Sequence, residues 1–446
     1  MRTSITLILL LFTTIGFAQE NPTNFSLQEA IDYALENNRT AKNAARDILV
    51  AEQQKKETTA TGLPQLSAKV DYQNWLKQQV SLLPGELAGE APGTFIAVPF
   101  GTKQSMNATA TLNQLLFDGS YIIGLQSVKV YLEIAENAKE KTDLEVRKAV
   151  INAYGNVLIA KESIGILNRN ITVLEKNLEE ITKIYENGLE EEESVEQLQI
   201  TLSSLKSQLK NTKRLQKLAY QMFNITIGID VNNATVLTDS LELLTKQNMS
   251  LSLLSIDENI ENTIDYKIAN NDKTSKEILL KYEKSKALPS LSAFVNGGYI
   301  ANSNTFSFVN KNQKWFSSSL LGVSLNIPIF SSGMRSAKTQ RAKIDFEKSK
   351  DDLTEVEQQL KLKIAAAKSD YQFAIEEYQN KKDNLALAER IEQKNETKFF
   401  EGIASSFELR QAQTQLYASQ QELLQAMLDV INNKAELETI LNSTNN

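Results

Sequence analysis

The 446-residue chain contains no cysteine and no histidine. Together these absences remove thiol nucleophiles, disulfides, Cys/His zinc sites and imidazole acid–base catalysis. They also exclude a lipid anchor attached through a mature N-terminal Cys. Proline and glycine are scarce, 7 and 17 residues, which suits a chain dominated by long helices. The formal net charge is −7 and no basic cluster stands out, which argues against nucleic acid as a partner. Beyond the N-terminal segment no apolar run approaches about eighteen residues, so no transmembrane helix is expected. A chain of this kind crosses a membrane with strands or not at all. No Gly-x-Ser-x-Gly, phosphate loop or metal-ligand spacing is present. No catalytic residue, metal site or cofactor is therefore assigned, and the chain reads as a non-enzyme.

What is present begins with Met1-Arg2, an apolar run from Ile5 to Phe17 and Gly16-Phe17-Ala18 before Gln19. A charged start, a short apolar stretch and small residues before a cleavage point predict a signal peptide over 1–18 and export. Ser26-Leu27-Gln28-Glu29 has the form of a capping box and predicts a helical segment to about Thr61, stopped by Gly62 and Pro64.

Four segments then alternate with period 2. Leu66, Ala68, Val70 and Tyr72 oppose Ser67, Lys69, Asp71 and Gln73. Met106, Ala108, Ala110 and Leu112 oppose Asn107, Thr109, Thr111 and Asn113. Leu291, Ala293 and Val295 alternate with polar residues, with Phe294 breaking the pattern. Leu321, Val323, Leu325, Ile327 and Ile329 form the longest series. One apolar and one small polar face fits a strand between lipid and a wet lumen, and equally a half-buried sheet in a soluble domain. Ser81 to Gly101, with three Pro and four Gly, and Ala301 to Lys314, rich in Asn and Ser, are expected to be loops. Trp75, Tyr72, Tyr299, Trp315 and Phe316 fall near the strand ends.

The rest is helical and repeats itself. Leu63-Pro64-Gln65-Leu66-Ser67-Ala68 returns as Leu288-Pro289-Ser290-Leu291-Ser292-Ala293. An apolar stripe runs Val150, Ala153, Val157, Ala160, Ile164, Leu167, Ile171, Leu174, Leu178, Ile181, Tyr185. In the same phase it reappears from Ile364 to Phe399, with Lys381, Glu392 and Asn395 admitted. Such a repeat predicts left-handed coiled coils, each long helix reaching roughly 100 Å at about 1.5 Å per residue. Both end at matched turns, Tyr185-Glu186-Asn187-Gly188-Leu189 and Phe399-Phe400-Glu401-Gly402-Ile403. Capping boxes at Ser194–Gln197 and Ser405–Glu408 are expected to start the returning helices, whose stripe at Val195, Leu198, Leu202, Leu205 and Leu209 recurs at Leu409, Ala412, Leu416, Ser419 and Leu423. Between the repeats, Gly228 to Leu254 reads as a small belt packed on the helices, and Ser255-Ile256-Asp257-Glu258 as the cap of a further helix.

Four strands cannot close a membrane barrel, because an open edge in lipid leaves backbone groups unpaired at several kcal/mol each. Self-association is the chemical solution, without the number of copies being fixed by it. The Ser-Leu-x-Glu-Ala-Ile start, the two Leu-Pro-x-Leu-Ser segments, Leu116-Phe117-Asp118-Gly119, Ile329-Phe330-Ser331-Ser332-Gly333 and the Glu-Gly-Ile turn together resemble the TolC-like outer-membrane efflux proteins. That resemblance covers essentially the whole mature chain. It implies a mostly α chain with β. It implies a trimeric outer-membrane β-barrel, four strands per chain and twelve in total, continued by a long periplasmic α-helical coiled-coil barrel with an internal twofold repeat.

The implied organisation is a signal peptide (1–18), N-terminal periplasmic helices (19–62), a first strand pair (63–117) and a first helical hairpin (118–226). An equatorial belt (227–255), a helix (256–287), a second strand pair (288–330) and a second hairpin with the C-terminal end (331–446) follow. The implied function is a passive exit duct of a tripartite efflux or type I secretion system. Its implied partners are a periplasmic adaptor, an inner-membrane pump and outer-membrane lipid. By the same resemblance Asn187, Gly188, Leu189, Glu401, Gly402 and Ile403 would dock the adaptor. Glu408 falls where the family narrows its pore with acids, although the next such position holds Gln411. Glu190, Glu191, Glu192 and Glu193 are a second acidic source; both sets also serve as ordinary helix-start carboxylates. The rival reading is a soluble periplasmic coiled-coil scaffold or adaptor.

Overall fold

The computed structural model describes residues 24–255 and 259–443. The expected signal peptide, and Ile256, Asp257 and Glu258 of the expected cap, lie outside the described residues. The chain is mostly helical with some sheet. It begins with β1 (Asn24–Phe25), α1 (Leu27–Asn37) and α2 (Arg39–Ala60). Strands β2 (Gln65–Asn74), β3 (Val80–Pro84), β4 (Phe95–Pro99) and β5 (Gln104–Asp118) come next, then α3 (Gly119–Glu186) and α4 (Glu192–Ile227). The middle holds β6 (Val236–Leu237), α5 (Leu241–Gln247) and α6 (Ile264–Ser285). Strands β7 (Ser290–Ser303) and β8 (Phe316–Asn326), then α7 (Met334–Phe400) and α8 (Ser406–Leu441), complete it. No described helix is long and apolar enough to cross a membrane. The chain divides into two compact units, and α2, α3, α6 and α7 contribute residues to both.

One unit takes in Leu49–Ile134 and Asn270–Asp352. Its centre is an antiparallel sheet in the order β2-β5-β7-β8. The register carries the alternation across all four strands. Leu66 pairs Leu112, Leu112 pairs Val295 and Val295 pairs Leu321, an apolar row on a single face that is exposed throughout. The other face carries Ser67, Thr111 and Asn296 in one row, which Leu320 completes on β8, and Lys69, Thr109, Gly298 and Ser318 in another. Phe294, the break in the alternation, stands on this polar face opposite Gly322. A Cβ at Gly322 would meet its ring at 2.4 Å, so the ring occupies space that the glycine leaves. A bulge between Leu115 and Phe117 shifts parity so that Phe117 pairs Leu291 and rejoins the apolar side.

Three boundaries differ from the sequence expectation, the first being β7, which runs to Ser303 inside the expected loop Ala301 to Lys314. β8 ends at Asn326, leaving Ile327 and Ile329 beyond it, because Pro328 has no N–H for a ladder. The segment Ser81 to Gly101 is not all loop: β3 and β4 pair antiparallel from Val80↔Pro99 to Pro84↔Phe95.

The two strand-to-helix joints are built differently. At the first, Asp118 ends β5 and its Oδ1 accepts from the N–H groups of Ser120 (2.7 Å) and Tyr121 (3.0 Å), so α3 starts at once. At the second, an irregular stretch separates β8 from α7, with Ser332 and Gly333 at φ 47° and 83°. Arg335 clamps that stretch by donating to the carbonyls of Pro328 (2.7 Å) and Ile329 (3.1 Å).

The other unit takes in Met1–Ile48, Ala135–Ala269 and Leu353–Asn446. The capping box at Ser26 forms as expected: Ser26 N–H donates to Glu29 Oε2 at 2.8 Å. The helical segment expected up to Thr61 is divided at Asn38 into α1 and α2. Asn38 Oδ1 accepts from Thr40 N–H (2.7 Å) and its Nδ2 donates to Thr226 O (2.7 Å), capping the second piece while tying it to α4. The middle segment packs on the helices through two fully buried tyrosines. The Tyr154 hydroxyl on α3 lies 3.0 Å from both Phe25 O and Asp239 Oδ2 and shares its one proton between them. Tyr371 on α7 donates to Asn248 O at 2.5 Å and accepts from Ser250 N–H at 3.0 Å. A short parallel ladder pairs β1 with β6 beside the first of these.

Candidate functional site

The two turns after the long helices share one backbone solution. Gly188 N–H donates to Tyr185 O (2.8 Å) and Leu189 N–H to Ile184 O (3.1 Å). Gly402 N–H donates to Phe399 O (3.0 Å) and Ile403 N–H to Lys398 O (2.8 Å). This pair of bonds is the Schellman motif, which requires a left-handed residue after the helix. Gly188 and Gly402 supply it at φ 75° and 73°. Such motifs usually bury the residue after the glycine against the helix. Here Leu189 is 78% and Ile403 71% exposed, so each turn presents an apolar side chain to its surroundings. Phe407, in the first turn of α8, is exposed as well.

The structure brings these turns together. Ser194 Oγ and Ser406 Oγ, at the starts of α4 and α8, are 2.8 Å apart. Leu167, Ile171, Leu174, Ile181, Val195, Leu198, Phe399 and Leu409 belong to one apolar cluster. All four helix ends thus share a core, as the matching stripes require.

The helix starts themselves differ. The expected box at Ser405 forms: its N–H donates to Glu408 Oε2 at 2.8 Å, and Ser405 Oγ accepts from Glu408 N–H. Those hydrogen bonds hold the Glu408 carboxyl below its ordinary value of 4.5. The expected box at Ser194 does not form. α4 starts three residues earlier, at Glu192 rather than Val195, with Glu191 as an N-cap that makes no side-chain bond. Ser194 lies inside the helix, and its hydroxyl goes to Glu190 Oε1 (2.5 Å) and Ser406. The physical reason is the run Glu190–Glu193, whose carboxylates favour the positive end of a helix without a reciprocal serine bond. Glu193 in turn accepts from Gln197 Nε2 at 2.7 Å.

Behind the turns lies a polar row that the sequence reading did not single out. Ser163, Asn170 and Asn177 on α3 are buried and recur at heptad spacing beside the apolar stripe. Ser163 Oγ donates to Gln421 Oε1 (3.4 Å), Asn170 Nδ2 to Gln420 Oε1 (2.8 Å) and Asn177 Nδ2 to Glu396 Oε1 (3.3 Å). Their regular spacing was the available signal; buried polar groups at such positions fix register between helices. Next to Glu396, Glu392 has its pKa raised, first by burial and then by the Glu396 charge. Tyr417 is raised by burial and by the same two carboxylates. Among the described residues no group of three or more carboxylates is arranged to hold a metal ion.

A sheet with one exposed apolar face, two long hairpins and paired turns is a definite combination. The family model for outer membrane efflux proteins matches residues 30–223 and 279–443. The chain belongs to this outer membrane efflux protein family. Solved structures agree in fold. CusC, described for its folding and transmembrane channel formation, is 18% identical with a TM-score of 0.74, covering 93% of this chain and 91% of that one. The Campylobacter jejuni outer membrane channel CmeC is 16% identical, with a TM-score of 0.73 and 96% and 90% coverage. The outer membrane protein VceC of Vibrio cholerae is 15% identical, with a TM-score of 0.71 and 93% and 95% coverage. Among curated proteins none matches the sequence. The efflux protein is accordingly an outer-membrane exit duct, and the soluble scaffold reading is not favoured.

Proposed function

We propose that three copies of this efflux protein close into a twelve-stranded barrel in the outer membrane, continued through the periplasm by a tube of the long helices. The observation that carries this is the sheet β2-β5-β7-β8. Its outer strands have no further partner among the described residues, and one face carries an exposed apolar row, Leu66, Leu112, Val295 and Leu321. In lipid the apolar face is favourable and the open edges are not. Pairing β8 of one copy with β2 of the next satisfies both. The duplicated order of strand pair, long helix, turn and returning helix makes the ring pseudo-sixfold in this reading. It treats the two halves as an internal twofold repeat.

The exposed Leu189 and Ile403 suit docking of a periplasmic adaptor's apolar helical surface at the tip, with Asn187, Gly188, Glu401 and Gly402 setting the turn that presents them. The adaptor would couple the duct to an inner-membrane pump that supplies the cargo. The duct conducts passively, with no catalytic residue and no cofactor. Glu408 and Glu190–Glu193 are proposed to face the lumen near this tip. Threefold symmetry would multiply their charge and favour cations.

The deciding measurement is the mass of the full chain purified from outer membrane in mild detergent, by light scattering with detergent subtracted. A mass near three protomers, followed by cation-selective conductance in planar bilayers that weakens in Glu408→Gln, is the expected result. A freely soluble monomer or dimer would overturn the proposal.

A further inference from the structure

The β3–β4 hairpin belongs to the first strand pair alone. The β2/β5 ladder ends at Asn74↔Gln104, is followed by a Trp75 N–H bond to Lys103 O at 2.8 Å, and pairing resumes at Val80↔Pro99. The register places Val80, Leu82 and Pro84 opposite Pro99, Ala97 and Phe95. One face of the hairpin is therefore wholly apolar, and Leu82 and Phe95 on it are 64% and 66% exposed. Neither strand carries a charged residue. The connector between β7 and β8 behaves otherwise. Its Phe306 and Phe308 rings pack edge-on against Tyr72 of the sheet at 5.7 and 5.9 Å, and Phe308 is buried. One connector uses its aromatics on its own sheet; the other holds an apolar face free.

We propose that this face packs against the same face of neighbouring copies, so that three hairpins meet and narrow the outer exit of the duct. The inference rests on the trimeric reading above. Four considerations select another copy as the occupant. A face of six side chains is far smaller than the roughly 1,000 Å² that a freely diffusing partner needs. Copies already joined through the sheet present the hairpins to one another at an effective concentration on the order of millimolar. Pro84 and Pro99 disfavour addition of a foreign strand to the hairpin edges, leaving the face as the contact. Uncharged strands related by symmetry approach without repulsion, which a self-contact requires.

The lack of cysteine makes the test direct. Ala97→Cys places a single thiol in each protomer, on the proposed contact, in the full chain in mild detergent. Asn312→Cys in the other connector is the reference. Treatment with a short bis-maleimide is expected to give covalent dimers at least about fivefold more abundant in Ala97→Cys than in the reference, as effective concentration dictates. Intact trimers whose Ala97→Cys linking does not exceed the reference would overturn the inference and leave the trimer standing. Absence of trimers by light scattering would instead overturn the trimeric reading, and this inference with it. Independently, Leu82→Asp sets like charges against one another and is expected to raise single-channel conductance about twofold or more. Unchanged conductance in a trimeric Leu82→Asp duct would count against the contact.

Discussion

The two helical hairpins are nearly equal in size and unequal in chemistry. α3 and α7 span 68 and 67 residues, α4 and α8 both 36, and the turns between them are the same motif. Along α3 the stripe is apolar at every position, and Val150, Val157, Leu174 and Ile181 are essentially inaccessible. Along α7 it admits Lys381, Glu392 and Asn395. Lys381 is answered by Glu377 (3.1 Å) and Glu422 (3.0 Å). Glu392 has no ion-pair partner among the described residues, and burial and the Glu396 charge raise its pKa. Hairpin length follows from the period of the stripe and the place of the glycine; purity of the stripe decides how much energy the hairpin holds. The helix starts teach the same lesson, since α4 begins on a run of carboxylates and α8 on a reciprocal box.

The contrast can be broken first at the stripe. Leu174→Ala is expected to cost about 2–5 kcal/mol by thermal unfolding in detergent. The α7 position in the same phase is already alanine, and Ala388→Gly should cost only about 1 kcal/mol. Equal losses would mean the two stripes carry the same load. At the turns the hairpins should behave alike: Gly188→Ala and Gly402→Ala each force a side chain into the left-handed region, at about 1–2 kcal/mol. The helix starts should diverge again. Ser405→Ala is expected to lose about 1 kcal/mol and to fray the first turn of α8, whereas Ser194→Ala, which removes buried hydrogen bonds to Glu190 and Ser406 but no cap, should cost about 1 kcal/mol without fraying α4.

The smallest effect is on pH. Glu392 has a raised folded pKa, so the stability associated with its neutral form is fully present below its ordinary value of 4.5 and is lost as pH rises through the raised one. Glu408 has a lowered pKa. Its contribution is present above 4.5 and is lost as pH falls through the lowered value. Amide exchange, corrected for its intrinsic pH dependence, should therefore show tighter protection around Glu392 on mild acidification. The start of α8 should loosen only at lower pH. Movement of both regions in the same direction would contradict the opposed environments.

Much of this architecture is legible in the residues. The strand alternation, the α3 stripe, both Gly turns and the boxes at Ser26 and Ser405 depend on local spacing, which a sequence displays. What escaped depends partly on competing local signals and partly on partners distant in the chain. Ser194 has the spacing of a box, but four neighbouring glutamates move the helix start past it. Tyr154 and Tyr371 look like stripe residues until Phe25, Asp239, Asn248 and Ser250 are seen around their hydroxyls. The β3–β4 pairing is hidden because Pro and Gly in Ser81 to Gly101 signal turns more strongly than Val80, Leu82 and Phe95 signal strands. At the tip, the turns are legible and their exposed side chains are not, since exposure is a property of the folded surface.

The two strand-to-helix joints have a mechanical consequence. Where Asp118 serves at once as the last ladder residue and the first helix cap, no slack exists. Rotation of α3 about its axis must be taken up by β5 itself, by shearing hydrogen bonds to β2 and β7. The stretch between β8 and α7, held by Arg335 and by the Met334 N–H bond to Ser331 O and including two left-handed residues, has no single residue that serves both strand and helix. A change at Asp118 therefore disturbs the end of a strand and the start of a helix together, whereas a change at Arg335 touches only the segment that joins them.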